Sequence, residues 1–449
     1  MKKNFPKKAV LAVDAAGLAL LTALFVIWWR AHPSYGPAER ALAALSAALF
    51  GAACVRFVPE WLRFWSRGTE PDAALCEPAH VEARIFFSLI CVCAGYFALV
   101  YIFRAAAGNT GSFYDFLKFW KCLDSRHYLD IARDWYLSEG EHDRLVQLVF
   151  LPGYPVAVRL LTLVTGDYLV SGFLVSVCCF AAGGCVFYRL LRLDMGHRAA
   201  LRGVKYLCLA PGAFFFTAPM SESLFFLLCV SCLYLARRGR WLCGCLCGAL
   251  AAFTRSVGLS LLVPLVMELV RAYVNRSLSP RRRAAAAASL LLVPAGFGAY
   301  LFINYLVSGD PFRFMYYQRE HWSQTTGMFF NTAAYQTGNL LSALKSDMST
   351  ALGLWLPNLI ACFGALSIAL AGAKRLRASY TAWLLAYFFV AVGATWLWSA
   401  PRYMLAMPPL YAALALLARS RRADIAVSAC LGVLSILYTA AFSLRWQVW

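Results

Sequence analysis

The chain alternates long apolar runs with short polar loops from one end to the other. About thirteen runs approach the length of about 20 residues that a helix needs to cross a bilayer. They lie near residues 9–29, 40–57, 85–103, 168–190, 203–217, 220–236, 241–254, 256–274, 284–306, 350–371, 380–398, 403–418 and 424–443. The runs lack the apolar–polar alternation of a membrane β-barrel. Because only helices and closed barrels satisfy their backbone groups inside a bilayer, the pattern predicts an all-α, polytopic membrane protein with about thirteen transmembrane helices.

The composition supports this assignment. Of the 449 residues, 61% are hydrophobic and 14% are charged, whereas a soluble globular domain has about 45–50% apolar and about 25% charged residues. An ordinary soluble enzyme, a disordered tail and a coiled coil are therefore excluded. Most of the 16 cysteines lie inside apolar runs, where cysteine behaves as a small apolar residue. We therefore expect neither a disulfide framework nor a metal site from them.

The net charge of +20 is distributed over short basic clusters at the ends of the apolar runs. Cytoplasmic loops of membrane proteins are enriched in Lys and Arg, and no nucleic-acid-binding motif accompanies these clusters. The rule orients the chain with a cytoplasmic N-terminus and predicts contacts with membrane lipids and none with nucleic acid. The clusters are Lys2, Lys3, Lys7 and Lys8; Arg63, Arg67 and Arg84; Arg192, Arg198, Arg202 and Lys205; Arg237, Arg238 and Arg240; Arg276 and Arg281–Arg283; Lys374, Arg375 and Arg377; and Arg419, Arg421 and Arg422.

One further apolar run, at 145–164, is ambiguous. If it crossed the membrane, the basic loop at 192–202 and every later basic loop would lie outside. The run also contains Pro152-Gly153-Tyr154-Pro155, a sequence that breaks a helix. We therefore predict a juxtamembrane or re-entrant segment here.

The resulting topology collects ionisable residues on the outer face, which indicates a shared polar site at the membrane surface. Within the outer loop, residues 113–136 have a helical period. A single helix here would place Asp124 and His127, three positions apart, on one face. A carboxylate beside an imidazole can deprotonate a hydroxyl group, which is general-base chemistry. An interfacial amphipathic helix with ordinary polar residues is the alternative.

Six short motifs follow one another between about residues 115 and 410, and their order is more specific than any one of them. They are Asp124-Ser-Arg-His127-Tyr128-Leu129-Asp-Ile131-Ala132; Phe150-Leu-Pro152-Gly153-Tyr154-Pro155; Ala210-Pro211 with Ser221-Glu222-Ser223; Thr254-Arg255-Ser256-Val-Gly258; Gly309-Asp310-Pro311 with Trp322; and Pro401-Arg402-Tyr403 before Pro408-Pro409. This series resembles the PIG-V family, which comprises GPI mannosyltransferase II and its bacterial relatives, membrane glycosyltransferases of the GT-C type. Leu123 departs from the pattern, since the family usually has Trp before the Asp.

The resemblance implies a GT-C-like transmembrane catalytic core over 85–443, with juxtamembrane helices in an outer loop at 104–165. A transmembrane hairpin and a cytoplasmic loop at 1–84 would precede it. The implied reaction is the inverting transfer of a sugar, by the family mannose, from a polyprenyl-phosphate carrier. The acceptor would be a lipid-linked or cell-surface glycan on the extracytoplasmic face.

The motifs also suggest roles for individual residues. By the resemblance, Asp124 would be the general base for the acceptor hydroxyl, and His127 would orient the acceptor or support Asp124. Arg255 and Arg402 are candidates to meet the charge of the leaving lipid phosphate, because Arg is suited to phosphate.

Three other motif residues are candidates for substrate binding. Glu222 would bond to a sugar hydroxyl or pair with an arginine, and Tyr154 and Asp310 come from the second and fifth motifs. We expect no metal, and no cofactor besides the lipid-phosphate sugar that serves as donor.

Two other functions remain open. A transporter or lipid flippase would need ionisable groups near the bilayer midplane and internal repeats; no clear repeat is present, and Asp14 is the most obvious charge within a span. A non-catalytic membrane scaffold is the other. Trp396 and Trp398, at a span end, are expected in an aromatic belt. The plasma membrane of a bacterium is the expected location, with the endoplasmic reticulum membrane as the alternative.

Overall fold

The computed structural model describes residues 7–66, 80–109, 111–136 and 144–448, and these residues are helical almost throughout. Within these ranges the extended pairing is limited to an isolated antiparallel bridge between Thr326 and Ala394. The topology-determining residues Lys2, Lys3 and Arg67 lie outside the described residues. The all-α fold predicted from the apolar runs is confirmed.

The α-helices are numbered here in chain order. They are α1 Lys7–Ala31, α2 Pro37–Ser66, α3 Val81–Ala106, α4 Phe113–Phe119, α5 Asp124–Asp134, α6 Gly153–Thr165, α7 Tyr168–Arg192, α8 His197–Cys208, α9 Glu222–Arg237, α10 Trp241–Thr254, α11 Leu262–Val274, α12 Pro280–Ser289, α13 Leu292–Ser308, α14 Arg313–Trp322, α15 Phe329–Ser346, α16 Met348–Thr350, α17 Leu356–Gly372, α18 Ala378–Val392, α19 Ala400–Leu405, α20 Pro408–Leu417 and α21 Arg421–Ser443. Short 3₁₀ segments lie at Arg144–Val149, Ala213–Phe216 and Ser256–Leu261, and a π-helical segment lies at Ala351–Trp355.

Eight helical segments within the described ranges are long and apolar enough to cross a membrane, and four apolar helices are shorter. The shorter ones are α6, α10, α18 and α20. A polytopic membrane protein is therefore confirmed, whereas the number of thirteen spans stays a prediction. α6 has 13 residues, about 20 Å of helix, and it begins at Gly153, where the Pro-Gly-Tyr-Pro sequence was expected to break the run.

Three predicted spans are divided, and the prediction of continuous helices was wrong there. The run 203–217 ends as an α-helix at Cys208, because Pro211 and the left-handed Gly212 (φ +83°) follow. The run 380–398 ends as a helix at Val392 and continues as a loop over 393–399. The run 403–418 is divided between α19 and α20, where a prolyl pair begins the second helix.

The outer segment 113–136 is also divided, into α4 and α5, where a single helix was predicted. Leu123 adopts a φ of +51°, an unfavourable backbone conformation for a residue with a branched side chain. Trp120, in the break, is fully buried and stacks on Phe97 with 5.8 Å between ring centroids. The chain therefore turns between the two helices and starts α5 in a new direction at Asp124.

The N-terminal hairpin packs on the rest of the chain. α2 lies against α15, α17 and α18, and Trp28 of α1 donates a 2.9 Å hydrogen bond from Nε1 to Oδ1 of Asn331. Side chains from both α1 and α15 share the main hydrophobic core, since Phe25 meets Phe330 edge to face at 5.4 Å.

A charged network joins the ends of several helices away from the outer loop. Arg377, just before α18, donates to Glu268 of α11 through Nε (2.6 Å) and Nη2 (2.8 Å). Asp194, between α7 and α8, pairs with Arg377 at 3.4 Å and with Arg237, the last residue of α9. Because Glu222 is the first residue of α9, this helix carries a charged residue at each end.

Candidate active site

Four charged side chains from distant parts of the chain meet in one hydrogen-bonded group. Asp124 is the first residue of α5, Glu222 the first of α9, Arg255 follows α10, and Arg402 lies on α19. These are four of the residues that the sequence motifs singled out. The two arginines balance the two carboxylates, so the group has no net formal charge.

Glu222 is the centre of the group. Its Oε1 accepts hydrogen bonds from Arg402 Nε (2.9 Å), Arg402 Nη2 (2.6 Å) and Arg255 Nη1 (2.8 Å). The Glu222 side chain is fully buried, and its Oε2 has no hydrogen-bond partner among the described residues. A buried carboxylate is stable only when cations compensate for its lost hydration. Glu222 thus holds the two arginines about a common point.

Asp124 is the member of the group that faces open space. Its Oδ2 accepts a 2.7 Å hydrogen bond from Arg402 Nη2, and its side chain is partly exposed, whereas Arg402 is buried. Its Oδ1 has no hydrogen-bond partner among the residues that the structure describes. The strained conformation of Leu123 lies immediately before it and directs the start of α5 towards Arg402. Asp124 therefore has one oriented oxygen and one oxygen available to a ligand.

Close backbone packing positions Arg255. A Cβ atom added at Gly153 would lie 2.8 Å from Cα of Thr254, so only glycine allows α6 to approach the end of α10 this closely. A Cβ atom at Gly258 would meet the backbone of Ala251 at 2.6 Å. The guanidinium of Arg255 lies over the ring of Tyr403, 5.0 Å from its centroid. The two motif glycines thus fix the turn that carries the arginine.

Two buried hydroxyl groups, those of Ser221 and Tyr128, pack next to the ionic group. Ser221 Oγ lies 3.3 Å from Arg255 Nη1 and 3.0 Å from the hydroxyl group of Tyr128. Tyr128 and Ser221 are buried. Because Tyr128 is on α5 and Ser221 precedes α9, this contact ties the helix of Asp124 to the helix of Glu222.

The ionic group opens onto a cavity of about 350 Å³. Asp124, Arg255 and Arg402 form its charged end. The remainder of the wall has a different character, since it consists largely of aromatic, amide and hydroxyl side chains. Its members include Gln318, Trp322, Gln324, Trp396 and Trp398. Nowhere in the described ranges do three His, Cys, Asp or Glu side chains form a metal-ligand group, and the positive charge at the cavity comes from the two arginines.

His127 lies on the same helix as Asp124 but does not line this cavity. Its ring stacks on Phe150 at 4.5 Å, and it borders a separate polar cavity with Arg126 and Asp130. Burial lowers the pKa of His127, while the negative charges of Asp124 and Asp130 oppose that shift. Asp124 and His127 are both on α5, but Asp124 is its first residue and reaches Arg402, whereas the ring of His127, one turn later, packs on Phe150.

Tyr154 and Asp310 also lie outside the cavity wall. Tyr154 is fully buried, and its hydroxyl group donates to the carbonyl oxygen of Gly172 (2.8 Å) and meets Ser176 Oγ at 2.9 Å. Asp310 is exposed and accepts a 2.9 Å hydrogen bond from the backbone N–H of Phe312 at the start of α14. Tyr154 therefore joins α6 to α7, and Asp310 stabilises a turn.

Trp396 and Trp398 were expected in an aromatic belt, yet they line the cavity. Their position in the sequence, shortly before Arg402, could have indicated that they lie near the site. The hydrophobicity of 380–398 obscured it by suggesting that the helix continues to residue 398.

Comparison with known proteins agrees with the resemblance noted in the sequence. Residues 105–323 match the family described as mannosyltransferase (PIG-V), a region that contains Asp124, Glu222 and Arg255. No curated protein matches the chain.

The chain is also similar to two solved structures. ArnT from Cupriavidus metallidurans, bound to undecaprenyl phosphate, is 14% identical, with a TM-score of 0.42 over 82% of this chain and 76% of the other. The archaeal oligosaccharyltransferase AglB from Archaeoglobus fulgidus, in complex with an inhibitory peptide and a dolichol-phosphate, is 12% identical, with a TM-score of 0.37 over 81% of this chain and 56% of the other.

Proposed function

Because residues 105–323 match the mannosyltransferase (PIG-V) family, we propose that this chain is a membrane glycosyltransferase with Asp124, Glu222, Arg255 and Arg402 at its active site. It transfers mannose from a polyprenyl-phosphate carrier to a hydroxyl group of a lipid-linked or cell-surface glycan. The reaction takes place on the extracytoplasmic side of the membrane, at the cavity beside Arg402. The observation that carries the proposal is that two arginines and a partly exposed carboxylate meet at one end of this cavity.

The chemistry requires a base and a cation in the same place. Asp124 takes the proton of the acceptor hydroxyl while that oxygen attacks C1 of the sugar. The bond between C1 and the phosphate oxygen breaks, the lipid phosphate leaves with the bonding electrons, and the configuration at C1 inverts. Arg402 and Arg255 stabilise the negative charge that develops on the leaving phosphate.

The ionic group has no net formal charge before substrate binds, and this balance supports the roles given to the arginines and to Asp124. A donor phosphodiester adds one negative charge, and the released lipid phosphate carries close to two at neutral pH. Arg402 is the cation that both Asp124 and an incoming phosphate can reach, since its Nη2 already bonds to Asp124. Exchange of the Asp124 carboxylate for the phosphate pairs the donor with a cation and frees the base.

The other motif residues act by positioning. Tyr154 holds α6 against α7, and His127 supports the cavity wall through its stacking on Phe150. Glu222 keeps both guanidinium groups at the charged end, which makes the phosphate contacts preorganised.

The decisive experiment is transfer of radiolabelled mannose from undecaprenyl-phosphate mannose. The purified chain in lipid nanodiscs is incubated with this donor and with lipid extracted from the host membrane, and the labelled product is identified by mass spectrometry. We expect a labelled glycolipid whose new linkage has the opposite anomeric configuration to the donor. Retention of configuration would contradict direct displacement. In proteoliposomes, passage of the labelled lipid across the bilayer without any new glycoside would favour a flippase.

A further inference from the structure

The cavity has a charged end and an uncharged wall, and the proposed chemistry uses only the charged end. The uncharged wall is built from two neighbouring segments, the end of α14 with the residues after it, and the loop 393–399. Trp322 comes from the first segment, and Trp396 and Trp398 come from the second. Gln318, His321 and Gln324 of the first segment line the same wall. No Asp, Glu, Lys or Arg of these two segments lines the cavity in the described part of the chain.

The loop 393–399 is held on both sides by hydrogen bonds to its backbone. The amide group of Gln324 donates to the carbonyl oxygen of Trp396 (2.9 Å). Asn358 donates to the carbonyl oxygens of Leu397 (3.1 Å) and Trp398 (3.3 Å). Further bonds run from Gln336 Nε2 to the Leu397 oxygen (3.0 Å), from Leu397 N to the Tyr335 hydroxyl (2.5 Å) and from Thr395 N to the Thr325 oxygen (2.9 Å).

Ring contacts hold the tryptophan side chains as firmly as the hydrogen bonds hold the backbone. Trp396 stacks on Tyr335 with 5.2 Å between centroids and an interplanar angle of 19°. Its edge contacts are Trp355 at 5.7 Å and Trp398 at 6.2 Å. Trp396 and Trp398 remain half-buried, so part of each ring faces the cavity that they line.

This arrangement differs from that of a tryptophan in a membrane-interface belt. A belt tryptophan needs only an apolar ring with one polar edge in contact with water, and it does not need hydrogen bonds that fix its backbone. Trp29, near the end of α1, illustrates the ordinary case, because it is exposed and lies on a regular helix. Fixed rings next to fixed amide groups reduce the conformational entropy that ligand binding would otherwise cost.

We propose that the wall formed by Trp322, Trp396 and Trp398 with Gln318 and Gln324 is a binding subsite for a neutral sugar ring. The C–H face of a pyranose packs on an aromatic ring, and the amide groups donate to and accept from its hydroxyl groups. The cavity volume of about 350 Å³ is within the range of small-molecule sites. The inference rests on the proposed function and adds the residues that select the sugar.

Two sugars could occupy this wall, namely the mannose of the donor and the ring of the acceptor that carries the attacking hydroxyl. Their chemistry is the same, and steady-state kinetics separates them. In Trp396→Ala and Trp398→Ala, we expect the KM of one of the two substrates to rise about fivefold to tenfold, the loss expected for one aromatic contact. A rise in the donor KM assigns the wall to the transferred mannose, and a rise in the acceptor KM assigns it to the acceptor.

The matched control is Trp29→Ala, which removes an exposed tryptophan outside the cavity. Trp396→Phe keeps an aromatic face, so its KM values should stay close to those of the wild type. Unchanged KM values for both substrates in Trp396→Ala and in Trp398→Ala would overturn the proposal, provided that the variants melt at the wild-type temperature. If Trp396→Ala unfolds, Trp398→Ala and Trp396→Phe carry the test.

Direct binding separates failure of this proposal from failure of the proposed reaction. Saturation-transfer NMR in nanodiscs uses methyl α-mannopyranoside as a neutral probe and dodecyl phosphate as an anionic probe. We expect Trp398→Ala to lose the mannoside signal and keep the phosphate signal, and Arg402→Gln to show the reverse. A mannoside signal that survives Trp398→Ala would contradict the subsite even if transfer is observed. A mannoside signal lost in Trp398→Ala would support it even if no transfer is found.

Discussion

Arg402 donates a 2.7 Å hydrogen bond from Nη2 to Oδ2 of Asp124, although 278 residues separate the two positions. The same nitrogen lies 2.6 Å from Oε1 of Glu222. Under the proposed function, a donor phosphate and the Asp124 carboxylate would compete for one guanidinium group, and donor binding would release the proposed base.

The variant Asp124→Asn tests this link because it separates catalysis from binding. We expect kcat to fall about 10²- to 10⁴-fold, the contribution of a general base. Affinity for undecaprenyl phosphate should rise, because the competing carboxylate is gone. Transfer assays and equilibrium binding of the lipid phosphate measure the two effects. Asp130→Asn is the control on the same helix, since Asp130 lies outside the cavity. Weaker lipid-phosphate binding in Asp124→Asn would contradict the competition.

The variant Glu222→Gln should destabilise the fold. It leaves two buried arginines with one carboxylate fewer, and loss of one partner from a buried ion pair costs about 3–5 kcal/mol. Thermal unfolding in detergent, followed by the loss of monomer in size-exclusion chromatography, measures the change. A double variant Glu222→Gln/Arg255→Gln should recover part of the lost stability, because it removes the excess positive charge. Equal melting temperatures for the wild type and Glu222→Gln would show that the group is not compensating charge as described.

Gly153→Ala should disturb the turn that carries Arg255. The added Cβ would lie 2.3 Å from Oγ1 and 2.8 Å from Cα of Thr254, so backbone must move. Forced overpacking of this kind costs about 1–3 kcal/mol. We expect a lower melting temperature together with weaker binding of the anionic lipid. The control is Gly298→Ala in α13, where an added Cβ meets no atom within 4 Å. Identical behaviour of the two variants would argue against close packing at Gly153.

Acidification should destabilise the outer loop through His127. Burial lowers the pKa of His127 below its ordinary value of 6.5, so the unfolded chain binds a proton at a higher pH than the folded chain does. Stability is then fully present above pH 6.5, and it falls with pH until the folded-state pKa is passed. Melting temperatures measured between pH 5.0 and 7.5 should decline less steeply for His127→Asn than for the wild type. Parallel profiles would contradict a buried neutral imidazole. Asp124, Asp130 and Arg126 are the charged groups that act on this ring.

The sequence predicts most of the charged end of the site. Hydrophobic periodicity indicates the helices, and the distribution of Lys and Arg places Asp124, Glu222, Arg255 and Arg402 on one face. Their hydrogen bonds could not be predicted, because they depend on how α5 and α19 approach α9 in three dimensions.

The errors in prediction come from backbone breaks that hydrophobicity does not record. Leu123 interrupts the outer helix, so the predicted single helix over 113–136 is divided into α4 and α5. The loop with Trp396 is as apolar as a helix end, but its backbone bonds to Gln324 and Asn358. Those partners are distant in the sequence, so a local pattern could not reveal the loop.

The length of α9 also bears on the depth of the Glu222 group in the membrane. Its 16 residues span about 24 Å, which is less than the hydrocarbon thickness of a typical bilayer, about 30 Å. If α9 crosses the membrane, as the apolar run 220–236 predicts, the Arg237 network at one end and the Glu222 group at the other would not both reach the headgroups of an undeformed bilayer. Either the lipid would thin around the protein, or a phosphate bound at the Glu222 group would lie below the level of the neighbouring headgroups. Under the proposed function, the rate of sugar transfer would then depend on membrane thickness, and lipids of different acyl length would change it without any change in sequence.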